Sequence, residues 1–146
     1  MSADVEALRG LYLDEIKVGQ QAVFAKTVSE ADIVAYAGVT GDMNPVHINE
    51  EFAATTMFKT RIAHGMLSAG FISTVLGTKL PGPGCIYLSQ TLKFMAPVKI
   101  GDTVTARATV TEIIAEKKRV FLKTECLVAG KVVVDGEATV MVPVRG

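Results

Sequence analysis

The feature that most constrains the fold is an uncharged, apolar stretch, GMLSAGFISTVLGT, at residues 65–78. It predicts a helix over residues 65–79 whose large side chains fall on nearly every face, which leaves no polar stripe for solvent. The stretch is shorter than the roughly 20 residues that span a bilayer, and it contains serines. We therefore expect a buried helix that other elements must wrap. Its large side chains are those of Met66, Leu67, Phe71, Ile72, Val75 and Leu76.

The chain after this helix is typical of antiparallel strands. The sequence PGPG at 81–84 ends the helix, and valines and alanines then alternate with threonines and an arginine over residues 104–111. This period of two is expected of a strand with one buried face. The turn sequences IGDT, AEKKR and VAGK predict a meander of about four strands. Asp135-Gly136 lies within the last strand and predicts a bulge there.

The first half of the chain predicts one strand and two short helices. A strand is expected over 21–28, and Ser29 with Asp32 resembles a capping box that starts a helix ending near Gly38. Acidic residues after Asn49 favour a second helix that ends by Phe58. The sequence as a whole predicts a single α+β domain over 1–146, in which a curled antiparallel sheet wraps around the apolar helix.

Composition excludes several classes of function. The 15 basic and 15 acidic residues cancel, so no overall field attracts nucleic acid or an anionic membrane. The charged N-terminus does not resemble a secretory signal. Cys85 and Cys126 match no metal-ligand spacing, so we expect reduced, structural thiols in a cytoplasmic protein and no metal.

The loop sequence TGDMNPVH at 40–47 brings three chemically useful side chains together. Gly-Asp and Asn-Pro are typical of a turn, because Asp and Asn bond to nearby backbone. A turn does not require His47, however, and this imidazole could act with the Asp42 carboxylate and the Asn44 amide to hold and deprotonate a water molecule. A turn and a catalytic site both remain open at this point.

Three stretches resemble one protein family. Tyr36, the TGDxNPVH stretch and Ala53 match the hydratase 2 motif of MaoC-like (R)-specific enoyl-CoA hydratases. The sequences AHGM at 63–66 and FMAPVKIGDTV at 94–104 are similar to two further stretches of that family. The resemblance runs from residue 18 to 142 and leaves residues 1–14 as a loosely ordered extension.

The resemblance implies a hot-dog fold and reversible hydration of trans-2-enoyl-CoA to (R)-3-hydroxyacyl-CoA. It also implies a homodimer or a dimer of dimers that takes an acyl-CoA substrate, with no cofactor apart from the CoA of that substrate. In the family, the motif's aspartate and histidine are catalytic, which transfers to Asp42 and His47. Asn44 is then a positioning residue, and the Gly65 N–H binds the thioester oxygen, as suits a helix N-terminus.

Further substrate contacts and rival functions are also open. Ser68, one turn after Gly65, is a candidate ligand contact, and for His64 we expect a structural role or a loop contact and not proton transfer. Lys59, Arg61 and Lys93 are candidate contacts for the CoA phosphates. The rivals are a hot-dog acyl-CoA thioesterase, a (3R)-hydroxyacyl-carrier-protein dehydratase and a non-catalytic acyl-CoA binder.

Overall fold

The computed structural model describes residues 2–146 and, over that range, consists of five α-helices and one six-stranded sheet. Met1, part of the predicted extension, lies outside the described residues. The helices are α1 (Ala3–Glu6), α2 (Glu30–Thr40), α3 (Pro45–Ile48), α4 (Glu50–Ala53) and α5 (Gly65–Thr78). The strands are β1 (Gln21–Thr27), β2 (Ile86–Gln90), β3 (Lys93–Phe94), β4 (Thr103–Ile114), β5 (Arg119–Val128) and β6 (Lys131–Met141). Single 3-10 turns cover Leu13–Glu15 and Ala115–Lys117.

The sheet confirms the predicted antiparallel strands after the apolar helix, but only β4, β5 and β6 form a meander, because β2 and β3 pair with β6 and not with β4. Its strand order is β1-β4-β5-β6-β2, and the two-residue β3 also pairs with β6. Every pairing is antiparallel. The alternation predicted for 104–111 holds from Val104 to Val110, where the valines and alanines are buried and the residues between them are partly exposed. Strand β1 precedes α5 in sequence but joins the edge of β4, so the chain wraps the helix from both sides.

Helix α5 forms the centre of the core. Phe71, Ile72, Val75 and Leu76 are buried in one cluster with the inward-facing side chains of the sheet. The helix has no polar stripe, as predicted, but the expectation that it is buried on all sides is wrong for the single chain. Met66 is 51% exposed, and Gly70, Ser73 and Gly77 continue its exposed stripe. Three of these four residues are small, so the stripe lacked a clear polar signature. Among the described residues, no helix is long and apolar enough to cross a bilayer.

The first half of the chain follows its local signals closely. Ser29 and Asp32 form the predicted capping box, and α2 continues to Thr40, two residues beyond the predicted end, where Gly41 takes a left-handed conformation at φ 81°. The short helix predicted to begin near Asn49 and to end by Phe58 spans Glu50–Ala53, within those bounds. The short α3 was not predicted, because Asn44-Pro45 was read as a turn; the same pair serves as N-cap and first helical residue.

The predicted bulge at Asp135-Gly136 is wrong. Thr124 pairs with Gly136 and Glu125 with Asp135, whereas the register shifts between Val132 and Val134. A Cβ on Gly136 would lie 1.9 Å from the Thr91 carbonyl oxygen. The glycine therefore allows a close approach of two backbone segments and does not mark a bulge.

The N-terminal segment is more tightly held than the predicted loose extension. Gly10 and Leu11 donate backbone hydrogen bonds to Pro83 and Pro81 in the turn after α5. Leu13 donates a third to Pro143 near the C-terminus. These contacts fasten residues 10–13 to two distant parts of the domain.

Both cysteines are free, as expected of structural thiols. The Cys126 thiol lies in the core and donates to the Ser68 carbonyl of α5 at 3.3 Å. Burial raises its pKa to about 12, so this thiol is a poor nucleophile at neutral pH.

Candidate active site

The loop between α2 and α3 combines turn chemistry with a free carboxylate. Asp42 Oδ1 accepts from the Asn44 N–H at 3.2 Å, and Asn44 Oδ1 caps α3 by accepting from Val46 N–H at 3.1 Å. Each side chain thus accepts a hydrogen bond from nearby backbone through one oxygen, as the turn interpretation requires. Asp42 Oδ2 and the Asn44 amide nitrogen lie outside these two bonds, so the turn and catalytic interpretations are compatible.

His47 is held in a defined tautomer. Its side chain is buried, with 9% exposed, and Nδ1 lies 2.7 Å from the Ile62 carbonyl oxygen. A carbonyl only accepts, so Nδ1 carries the proton and Nε2 presents a lone pair. Burial lowers the pKa of His47 below its usual 6.5, and repulsion from His64 acts in the same direction. The Ile62 bond and the Asp42 charge oppose this shift. A neutral imidazole of this kind suits a general base.

The second histidine lies against the first. The His64 ring stacks on the His47 ring with centroids 3.9 Å apart, and its Nε2 lies 3.0 Å from the Asp42 backbone carbonyl oxygen. Ligating atoms of Asp42, His47 and His64 all lie within 4.8 Å of one another. Each ring has one nitrogen at hydrogen-bond distance from a backbone carbonyl, which leaves the other nitrogen of each ring outside these bonds. The three side chains are suited to proton transfer, and the absence of a metal stays a prediction.

A cavity of about 450 Å³ opens beside these groups at the N-terminus of α5. Its polar lining comes from His47, His64 and Ser68, together with the backbone at Gly65. Among the described residues, the Gly65 N–H has no hydrogen-bond partner, as expected for the first turn of a helix without a side-chain cap. The remaining lining is apolar and consists of Met57, Phe58, Ile62, Ala63, Met66, Phe94, Met95, Ala96, Pro97, Val98 and Val134.

The cavity therefore has a polar end and an apolar wall. Its volume lies within the usual range for small-molecule sites, which is about 300–1,000 Å³. At the polar end, a helix N-terminus offers an N–H to a developing negative charge. If a thioester carbonyl bound at the polar end, its apolar acyl chain would lie along the apolar wall.

The predicted substrate contacts separate into three groups. Ser68 lines the cavity and is 1% exposed. Lys59 and Lys93 are exposed and each is next in sequence to a lining phenylalanine, Phe58 and Phe94. Their contact with CoA phosphates stays a prediction.

Arg61 is differently placed. Its terminal nitrogens lie 2.7 and 3.0 Å from the two carboxylate oxygens of Glu30, and its Nε donates to the His47 carbonyl oxygen at 2.6 Å. The guanidinium is thus engaged by the protein itself. This geometry favours a role in holding α3 over the predicted contact with phosphate.

The sequence did not reveal two parts of the site. The segment 94–98 supplies much of the apolar wall, although the FMAPV sequence that marks it was recognised only as a family stretch. Ile62 fixes the His47 tautomer through a backbone carbonyl, and a backbone role leaves no side-chain signal.

Comparison with known proteins identifies the family to which this chain is similar. Residues 14–136 match the family model described as MaoC like domain. An (R)-specific enoyl-CoA hydratase from Rhodospirillum rubrum is 65% identical over 146 residues, which is 100% of both chains. A 3-hydroxybutyryl-CoA dehydratase from Methylorubrum extorquens is 53% identical over 136 residues, covering 93% of this chain and 87% of that protein.

The structural comparison agrees. The unliganded R-hydratase from Pseudomonas aeruginosa superimposes with a TM-score of 0.88 and 48% identity, over 93% of this chain and 88% of that one. The likeness confirms the predicted α+β hot-dog fold, and the family match confirms the resemblance drawn from the three sequence stretches. The chain belongs to the MaoC-like domain family.

Proposed function

We propose that this protein is an (R)-specific enoyl-CoA hydratase that reversibly adds water, with syn geometry, to trans-2-enoyl-CoA to give (R)-3-hydroxyacyl-CoA. One observation carries the proposal. A ring nitrogen of His47 and a carboxylate oxygen of Asp42 lie within 4.8 Å of each other, and His47 lines the cavity at whose polar end the Gly65 N–H is unpartnered among the described residues. The hydratase and dehydratase relatives support it.

Gly65 is the proposed oxyanion donor. Its N–H, at the positive end of the 14-residue α5, polarises the thioester carbonyl and stabilises the enolate that forms as water adds at C3. One such donor is typically worth about 10²–10³-fold in rate. The reaction changes no oxidation state overall, so the proposal includes no redox cofactor, and CoA enters only as part of the substrate.

Asp42 and His47 are the proposed acid–base pair. Neutral His47 accepts a proton from the water through Nε2, while the Asp42 carboxylate and the Asn44 amide orient that water. The hydroxyl adds to C3, and a proton is then delivered to C2 of the enolate on the same face. The atoms added across the double bond balance, since one water molecule supplies both the hydroxyl and the proton.

The proposal is tested with purified protein and crotonyl-CoA. We expect the enoyl absorbance to fall without release of thiol, and the product to be (R)-3-hydroxybutyryl-CoA. Asp42→Asn and His47→Gln should each lose most turnover while retaining the circular dichroism spectrum of the wild type. Thiol release would instead assign the site to a thioesterase.

The carrier of the acyl group is tested in the same assay. Parallel reactions with crotonyl-CoA and crotonyl-acyl-carrier protein compare kcat/KM for the two thioesters. We expect a preference for CoA, in line with the hydratase relative that matches the whole chain. A large preference for the carrier protein would favour the dehydratase alternative.

We also infer that the protein forms a homodimer in the cytoplasm. The location is supported by two free cysteines, one of them deep in the core. The dimer is supported by β2, which lies at the edge of the sheet and exposes Ile86, Tyr87 and Leu88. Apolar side chains on an unpaired edge strand are unfavourable in an isolated chain.

A further inference from the structure

We propose that His64 is a positioning residue that fixes Asp42 and His47 relative to the Gly65 oxyanion donor. This inference rests on the proposed hydratase function and assigns a role to a residue outside the acid–base pair. His64 is 2% exposed, and it directly precedes Gly65 in sequence. A single residue therefore connects the N-terminus of α5 to the loop that carries the carboxylate.

The first observation concerns Asp42. The residues from Thr40 to Asn44 are all exposed. Asp42 donates its N–H to the Thr40 hydroxyl and accepts from the Asn44 N–H, and both bonds lie within this loop. Among residues 2–146, the bond from His64 Nε2 to the Asp42 carbonyl oxygen is the only one that ties Asp42 to a part of the chain beyond this loop. Loss of this bond would release the carboxylate with its loop.

The second observation concerns His47. Its Nδ1 is held by the Ile62 carbonyl, which restricts rotation of the ring about the Cβ–Cγ bond. The His64 ring lies against it with an interplanar angle of 29°, which blocks one face. The Tyr36 ring, at 4.5 Å, in turn contacts His64. The direction of the His47 lone pair is therefore set by a bond and a stacking contact together.

The third observation argues against direct proton transfer by His64. Its Nε2 donates to a backbone carbonyl, which cannot give up or accept a proton in the reaction. Its Nδ1 is fully buried and, within the described part of the chain, has no partner. Neither nitrogen is available to a substrate in the cavity, so His64 acts through its neighbours.

His64 also occupies the N-cap position of α5 without making a capping bond. Ser, Thr, Asp or Asn at an N-cap usually bonds to the free N–H groups of the first turn. The imidazole bonds to the Asp42 loop instead, and the Leu67 N–H bonds to the His64 backbone carbonyl at 3.0 Å. Among the described residues the Gly65 N–H keeps no partner, so His64 holds the loop without occupying the oxyanion site.

Two variants separate the hydrogen bond from the stacking contact. His64→Gln keeps an N–H donor near the Nε2 position but removes the ring, and His64→Phe keeps a ring but removes the donor. We expect each to lower kcat for crotonyl-CoA by about 10–10²-fold, because small misplacements of catalytic groups cost up to about 10²-fold. The KM and the affinity for saturated butyryl-CoA should change little.

The outcomes are distinct. Folded variants with wild-type kcat would overturn the proposal, and a loss equal to that of Asp42→Asn in both variants would instead make His64 a proton donor. A drop in thermal stability with unchanged kcat per folded molecule would reduce His64 to a structural residue.

A measurement on the wild type keeps the proposal testable whatever the variants do. The chain has two histidines, so its 15N-histidine NMR spectrum should show one Nε2–H tautomer, His64, and one Nδ1–H tautomer, His47. An Nδ1–H tautomer for His64 would overturn the proposal even if the enzyme hydrates crotonyl-CoA. The expected tautomers with no hydration would mean instead that the proposed function has failed.

Discussion

The protonation state of His47 links a single residue to a measurable pH profile. Burial is the largest cause that lowers the pKa of this imidazole from its usual 6.5. A general base works only when neutral, so activity should persist below pH 6.5 and fall as the pH drops through the lowered pKa. We expect the acid limb of kcat/KM to have its midpoint below 6.5. Circular dichroism over the same range serves as the control for unfolding, and a limb above 6.5 would contradict a buried neutral base.

Gly65 offers a second test at this scale. A Cβ added there would lie 2.6 Å from the Phe94 ring, which is half exposed and free to turn away. We therefore expect Gly65→Ala to fold, but with Phe94 displaced from the cavity wall and the N–H obstructed. The kcat should fall by up to about 10²–10³-fold, the value of one oxyanion donor.

Gly70→Ala is the matched control for this variant. It lies in the same helix, and a Cβ there meets no atom within 4 Å. Turnover equal to that of the wild type in both variants would remove Gly65 from the catalytic site.

At the scale of elements, Arg61 joins α2 to α3. It bonds to Glu30 in the first turn of α2 and to the His47 carbonyl in α3, while the next residue fixes the His47 ring. We expect Arg61→Met to lower kcat markedly and to change the melting temperature little. The lost hydrogen bond is the one that holds the segment carrying the proposed base, His47. Steady-state kinetics and thermal unfolding measure the two effects.

Glu30→Gln provides the control. It leaves the Arg61 bond to His47 intact and removes only an ion pair whose carboxylate is 55% exposed. Exposed pairs contribute about 0.2–1 kcal/mol, so activity and stability should both change little. A kcat lowered equally by Glu30→Gln would mean that the ion pair, and not the bond to His47, holds the segment.

The approach of β6 to the segment after β2 predicts a stability effect at Gly136. A Cβ at this position would overlap the Thr91 carbonyl oxygen, which is backbone and cannot rotate away. We expect Gly136→Ala to destabilise the fold by about 1–3 kcal/mol, as overpacking usually does. Urea unfolding measures the change, with Gly38→Ala of α2 as a control whose Cβ meets nothing within 4 Å. Equal midpoints for the two variants would contradict the close approach.

These elements also show which features a sequence reveals. The alternation in β4 and the Ser29–Asp32 box depend on neighbouring residues, and both were predicted correctly. The bond between His64 and Asp42 joins positions 22 apart. No local period reports such a contact, so the sequence predicted a structural role or loop contact for His64 without identifying Asp42 as its partner. The Gly136 contact likewise depends on Thr91, which is why a glycine was misread as a bulge.

At the scale of the whole molecule, two of the exposed apolar stretches, one in β2 and one at residues 94–95, are those that the proposed dimer would cover. Strand β2 exposes consecutive apolar side chains and therefore offers both faces as well as an unpaired edge. Phe94 and Met95, more than half exposed, follow at the same end of the sheet and line the cavity with Met66. Pairing of two β2 edges would extend the sheet and bring a partner close to each cavity.

This arrangement predicts that assembly and activity are lost together. Leu88, 42% exposed on β2, is the test position, because a lysine on an edge strand opposes pairing between chains. We expect light scattering after size exclusion to show the proposed dimer for the wild type and a monomer for Leu88→Lys, which should also have a lower kcat/KM for crotonyl-CoA. Val39→Lys, at an 88% exposed position of α2, should leave both unchanged. A monomeric wild type with full activity would show that one chain completes the site and that the exposed edge of β2 has another use.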